Sequence, residues 1–179
     1  MSISVLDALQ PFKKAVFIGL FGLFGLVVGV WANTTYFSDK APVQPINFSH
    51  QIHAGENEIP CMYCHAHAAT STSAGVPSVE KCMGCHKAIA TDRPEIQKLT
   101  NYWNNREPIP WIKVHDVPDF VYFPHKRHIQ AGLECQQCHG DVQNMAVVTR
   151  VSDLKMPFCV DCHTEREVEH GRDCWTCHK

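Results

Sequence analysis

Apolar residues are spread unevenly along this chain. Residues 15–32, AVFIGLFGLFGLVVGVWA, carry no charge and follow Lys13 and Lys14. At about 1.5 Å per residue this run predicts a helix of roughly 27 Å, close to the hydrocarbon thickness of a bilayer. The run is longer than the apolar part of a usual secretory signal, and the chain carries it from Met1. The expectation is therefore a retained single-pass transmembrane helix and not a cleaved leader. Lys13 and Lys14 predict a cytoplasmic N-terminal segment, 1–14, and place Trp31 and Tyr36 at the outer interface. Gly19, Gly22, Gly25 and Gly29 form a smooth stripe on one face, which predicts close approach of a partner helix.

Beyond the apolar run, residues 33–179 predict short helices and loops, with few or no strands. One amphipathic helix stands out: Thr91 or Asp92 as N-cap, Pro94 in the first turn, then EIQKLTNYW. After it, Pro108, Pro110, Pro118 and Pro124 punctuate the extended stretch EPIPWIKVHDVPDFVYFP. The predicted layout is a module at 48–90, a linker at 91–122 and a second module at 123–179. The fold class expected is mainly α with much irregular structure.

Composition adds the chemistry. The formal charge of −2 on 179 residues, without a basic stripe, gives no footprint for nucleic acid. The chain has ten cysteines and twelve histidines. All ten cysteines fall in Cys-x-x-Cys-His units: Cys61, Cys64 and His65; Cys82, Cys85 and His86; Cys135, Cys138 and His139; Cys159, Cys162 and His163; and Cys174, Cys177 and His178. Two cysteines three apart on a helical turn project to one side, where their sulfurs can bond the two vinyl groups of one haem. The histidine that follows reaches the iron from the same face as the proximal ligand. A redox dithiol has no need of that histidine. A zinc site would leave its fixed position unexplained. Five covalent c-type haems are predicted. The 147 residues from 33 to 179 supply roughly 30 per haem, too few for a conventional core around each. The macrocycles themselves are expected to be the core.

Seven histidines lie outside these units: His50, His53, His67, His115, His125, His128 and His170. A repeat singles out four. FSHQIH (48–53) and FPHKRH (123–128) both place Phe, one residue, His, two residues, His ahead of a Cys-x-x-Cys-His unit. Histidines three apart on a turn have Cβ atoms only about 5–6 Å apart, so both cannot bind one iron from opposite faces of a porphyrin. Each pair must reach two haems and so staple them side by side. The fifth distal ligand is contested between His115 and His170. His67 follows the proximal His65 too closely to reach the opposite face. Met145 and Met156 are further candidates, although methionine packed against porphyrin is the commoner arrangement.

The FxHxxH…CxxCH arrangement resembles the small multihaem class III cytochromes, in which the paired histidines are distal ligands to different haems. The order of anchor, FSHQIHAGENEIPCMYCH, AGVPSVEKCMGCH, PIPWIKVHDVPDFVYFPHKRHIQAGLECQQCHGDVQNM and LKMPFCVDCH is similar to the pentahaem subunit of bacterial alternative complex III. That resemblance covers nearly the whole chain. It implies a quinol-oxidising assembly in the bacterial inner membrane, with an iron–sulfur subunit, polytopic quinol-binding subunits and a monohaem cytochrome c as partners. It also implies a ligand role for His115, and that His125 serves the haem on Cys135 and Cys138 while His128 serves that on Cys159 and Cys162. The ending HGRDCWTCH departs from it towards the trihaem class III cytochromes and keeps His170 in contention.

The function expected is electron transfer to a soluble or membrane acceptor on the periplasmic side, without a catalytic site of the chain's own. A stand-alone, membrane-anchored quinol dehydrogenase is the alternative. A reductase with a substrate-binding haem is a third, disfavoured because histidines outnumber the irons to be served.

Overall fold

The computed structural model describes residues 5–36 and 40–178, with the side chains of 5–12 and 34–36 outside the described set. The interfacial position expected for Tyr36, and residues 1–4 of the N-terminal segment, therefore lie outside the described residues. The described chain is mostly helical, and its one antiparallel bridge, Val121 with His178, belongs to no strand.

The N-terminal unit is one helix, α1, Val5–Tyr36, which exceeds the apolar run at both ends. Within it, Lys13–Asn33 is long and apolar enough to cross a membrane. None of that span is buried by protein; Phe24, for example, is 67% exposed. An apolar surface of this extent needs lipid or another helix to cover it.

The second unit begins at Lys40 and contains every Cys-x-x-Cys-His motif. Its helices are α2 Cys61–Cys64, α3 Val79–His86, α4 Pro94–Asn105, α5 His125–Gln130, α6 Gln136–His139, α7 Met156–Glu165 and α8 Cys174–Cys177. A π-type turn, Gln51–Glu56, and a 3-10 turn, Val142–Asn144, complete the regular structure. Helix α4 starts at Pro94 with Arg93 in the N-cap position, later than Thr91 or Asp92. Proline at the first helical position drives the residue before it into extended backbone, and Arg93 is extended at φ −72°, ψ 137°.

The buried apolar core is small. Ile46, Met83, Leu99 and Ile109 cluster where α3 meets α4, with Trp103 and Trp111 packed against them. Asn47 donates its backbone N–H to the Glu95 carboxylate at 2.7 Å, and Gln44 exchanges two hydrogen bonds with the Ile112 backbone, tying the proline-rich stretch to the start of the unit. The π-type turn packs on the 3-10 turn through the Gln51 N–H, which donates to the Met145 carbonyl at 3.0 Å. Gly55 permits that approach, because a Cβ there would stand 2.6 Å from the Gln143 carbonyl oxygen. Five buried apolar residues among those described are far too few for the hydrophobic interior of a unit this long.

Candidate metal centres

Each Cys-x-x-Cys-His unit sits on a helical turn. In three of them the backbone of the histidine closes back on the first cysteine. The N–H groups of His65, His139 and His178 donate to the carbonyls of Cys61, Cys135 and Cys174 at 2.9, 3.0 and 2.9 Å. In the second unit, Cys82 and Cys85 lie inside α3, and the Cys85 carbonyl accepts the N–H groups of Ala88 and Ile89 at 3.0 and 3.1 Å. Such a turn puts two thiols and an imidazole on one side of the chain.

All ten cysteines are unpaired thiols. Cys61, Cys85 and Cys174 are exposed, whereas Cys64, Cys82, Cys135, Cys138, Cys159, Cys162 and Cys177 are half-buried. In the Cys82 and Cys85 unit, burial and then the neighbouring Cys64 push the Cys82 thiol up, while Cys85 stands open to solvent. Cys85 therefore belongs to no enclosed thiolate cage. Among the described residues no group of three or more His, Cys, Asp or Glu converges as a zinc site would require.

The imidazoles share one device. His65 donates its Nδ1–H to the Gly75 carbonyl at 2.7 Å, His86 to Ile89 at 3.1 Å, His163 to Gly171 at 2.6 Å and His178 to Phe120 at 3.4 Å. On the other side His53 donates to Ser49 at 2.8 Å, His125 to Thr72 at 2.9 Å and His128 to Pro124 at 3.0 Å. A carbonyl can only accept, so the proton is on Nδ1 and the Nε2 lone pair is left for a metal. Burial, followed by the neighbouring His65 and His53, pushes His50 down to about 4. Burial, then His115, His125 and His65, does the same to His139, also to about 4. Both rings are therefore neutral bases at physiological pH.

Three pairs of rings face one another across a gap. The centroids of His53 and His86 are 6.0 Å apart, those of His125 and His139 6.3 Å, and those of His128 and His163 6.1 Å. With metal–nitrogen bonds of about 2 Å each, two imidazoles gripping one ion from opposite sides need roughly this separation. Direct stacking contact would be much closer. The residues present thus fit an iron held between two histidines. His125 and His128 face different partners, as do His50, beside His65, and His53, opposite His86.

Among the described residues, His115, His170 and His67 face no other imidazole across such a gap. His115 meets His139 edge-on at 4.4 Å and 84°, which leaves no room for an ion between those two rings, and its buried Nε2 has no hydrogen-bond partner. Burial, then Arg150, lowers its pKa. His170 is exposed in a left-handed turn at φ 56°, its Nδ1 donating to the Asp173 carboxylate at 2.8 Å. His67 is exposed, its carbonyl capping a turn by accepting the N–H groups of Thr70 and Ser71.

Two residues of the site carry a role that the spacing of ligands alone does not reveal. Phe48 stacks on His53 at 4.4 Å and meets His50 edge-on at 4.9 Å. Phe123 repeats this with His128 at 4.4 Å and His125 at 4.8 Å. Each phenyl ring braces both histidines of its pair. The signal was in the repeat, where phenylalanine recurs two residues ahead of the first histidine.

Comparison with known proteins agrees with this chemistry. Residues 121–179 match the family described as cytochrome c7 and related cytochrome c. The chain is also 28% identical, over 189 aligned residues, to the multiheme cytochrome c subunit of menaquinone reductase from Nitratidesulfovibrio vulgaris. That alignment covers 91% of this chain and 88% of the relative. The described chain is mostly helical, and its residues 121–179 are similar to cytochrome c7 and related cytochrome c.

Proposed function

We propose that this chain is a membrane-anchored, five-haem electron-transfer subunit of a complex that exchanges electrons with the quinone pool. The observation that carries the reading is the set of three facing histidine pairs, each about 6 Å apart, whose members are presented by the repeated FxHxxH segments and by Cys-x-x-Cys-His turns. Bound haem c supplies reversible one-electron transfer at iron. The chain's own residues hold and orient. The five cysteine pairs would hold the haems covalently, and His65, His86, His139, His163 and His178 would supply an iron ligand each. His50, His53, His125 and His128 would hold the same irons as His65, His86, His139 and His163 respectively. His115, whose buried Nε2 has no hydrogen-bond partner, would complete the fifth site, with His170 as the alternative. No carboxylate or lysine of the chain is assigned a proton-transfer step.

The apolar span Lys13–Asn33 anchors the chain in the membrane, with the N-terminus cytoplasmic and the haem region on the periplasmic face. The assembly is of the alternative complex III or menaquinone reductase type, with iron–sulfur, polytopic quinone-binding and cytochrome partners. The relative named above supports a quinone-linked complex, and the resemblance of the long third block supports the quinol-oxidising direction. The test is to purify the chain from membranes with its partners, and to measure haem per chain and its reduction by a quinol. Five haems per chain and quinol reduction only when polytopic partners co-purify are expected. Rapid quinol reduction by the isolated chain would instead support the stand-alone dehydrogenase, and fewer than five haems would refute the count.

A further inference from the structure

Four ligand rings are held by their own neighbourhood. His53, His86, His128 and His163 donate to carbonyls four, three, four and eight residues away. His125 is different. Its acceptor, Thr72, lies 53 residues back, in the loop that follows the first Cys-x-x-Cys-His unit. The Thr72 carbonyl accepts both the backbone N–H of His125 at 3.1 Å and its ring Nδ1–H at 2.9 Å. One oxygen with two lone pairs thus fixes main chain and imidazole together. The Ser71 carbonyl accepts the Lys126 N–H at 3.1 Å. His125 and Lys126 open α5, where the first N–H groups have no partner within the helix, so the loop supplies what the helix lacks.

Three residues beyond Thr72 the same loop turns through Gly75, left-handed at φ 74°, whose carbonyl holds the His65 ring at 2.7 Å. Thr72 and Gly75 are at most about 11 Å apart along the chain. They nevertheless orient imidazoles assigned to different irons. We propose that residues 71–75 are a third staple, built from main-chain carbonyls, which positions His125 for the iron of Cys135, Cys138 and His139 and fixes that site relative to the one of Cys61, Cys64 and His65. The inference rests on the haem reading of both motifs. The FxHxxH turns join the first site to the second and the third to the fourth, and this loop joins the first to the third.

The surroundings agree. The Cys61 thiol is a hydrogen-bonding neighbour of the Cys135 thiol. A cavity of about 530 Å³ is walled on one side by Cys61 and on another by Gln143 and Asn144, from the turn that follows His139. Among the described residues, the backbone hydrogen bonds that join 48–90 to 123–178 are those donated by His125, by Lys126 and by Gln51, whose N–H reaches Met145. None of them reaches 156–178, where the fourth and fifth motifs lie.

The test uses the full-length, membrane-extracted holoprotein, with peptide mapping of haem on Cys61, Cys64, Cys135 and Cys138. In the wild type, a redox titration followed by NMR resolves how oxidation of each haem shifts the others, an interaction that weakens with separation. Among pairs with one haem from 48–90 and one from 123–179, that of the first and third motifs should be the strongest. A stronger pair of another kind overturns the staple. A glycine inserted between Ser73 and Ala74 lengthens the chain between the two carbonyls. In the oxidised variant, site-assigned haem methyl resonances should shift at the first and third sites and stay in place at the second, fourth and fifth. A glycine inserted between Ala146 and Val147, both exposed and holding no ring, is the control and should shift neither site. Resonances of the first and third sites that stay in place in the Ser73 insertion, or move as far in the control, overturn the positioning role. If the insertion yields no folded holoprotein, the wild-type titration decides alone. Haem at both motifs with another pair coupled more strongly overturns the staple and leaves the haem reading intact. Absence of haem at either motif overturns both together.

Discussion

Gly55→Ala is expected to destabilise the haem-bearing unit through one contact. The new Cβ would stand 2.6 Å from the Gln143 carbonyl oxygen and 3.7 Å from its carbon, both main-chain atoms that cannot swing aside. Forcing a methyl group into a packed seam costs about 1–3 kcal/mol. Parting the seam also weakens the 3.0 Å hydrogen bond from Gln51 N–H to the Met145 carbonyl, which contributes roughly 1 kcal/mol. Against this, alanine is favoured over glycine in helical backbone by about 1 kcal/mol. The balance is a loss of about 2 kcal/mol, or roughly 4–8 °C in Tm for a unit of this size. Thermal unfolding of the holoprotein followed by far-ultraviolet circular dichroism measures it. Gly84→Ala is the control: it lies in α3 with nothing within 4 Å of its Cβ, so its melting should be unchanged or slightly higher. Because His53 sits in the turn that Gly55 presses against the seam, redox titration should also show one perturbed haem in Gly55→Ala. A Gly55→Ala variant that melts with the wild type and titrates identically would refute the steric argument.

Three other outcomes are expected. His128→Met should raise the potential of one haem while the site of His125 and His139 stays bis-histidine, as site-assigned spectra would reveal; perturbation of that same site would contradict the staple. Phe123→Ala removes the ring bracing His125 and His128 and should lower stability by about 1–3 kcal/mol, less than a fully buried phenylalanine, with denaturant midpoints as the measure. Gly25→Leu combined with Gly29→Leu should leave haem content normal but detach the chain from its membrane partners; co-purification at unchanged stoichiometry would exclude helix docking through that face.

The helical turns that carry the motifs were legible because they are local. Five Cys-x-x-Cys-His units each need only a helical turn, and FxHxxH needs only one more, so spacing alone foretold which side chains present themselves together. Length and hydropathy marked the apolar helix for the same reason. What spacing could not supply was long-range placement. Cys82 and Cys85 read identically in the motif, yet packing against the apolar cluster of Ile46, Met83, Leu99 and Ile109 half-buries the first and leaves Cys85 exposed. The segment around His115 gave no hint that the path of the proline-rich stretch brings its ring edge-on to His139, with its Nε2 buried and unpartnered. His170 lies four residues ahead of a motif, but a left-handed turn directs it to Asp173. The N-cap of α4 fell on Arg93 instead of Thr91 or Asp92, because the constraint of proline on its predecessor outweighs a capping side chain.

The acceptors that hold the imidazoles are main-chain carbonyls, at Ser49, Thr72, Gly75, Ile89, Phe120, Pro124 and Gly171. A carbonyl is present whatever side chain the residue carries, so the orientation of the ligands is insulated from most point substitutions at the positions that enforce it. Mutational scanning would pass over Thr72 or Ile89 as inert, although the site depends on them through backbone trajectory. Insertions and deletions are another matter. One residue added between His65 and Gly75, or between His163 and Gly171, would withdraw the acceptor and free the ring to choose the wrong tautomer. Gly75, at φ +74°, and Gly171, where a Cβ would stand 2.8 Å from Val168, admit no side chain freely, but at the other acceptors the protein should tolerate change in identity far better than change in loop length.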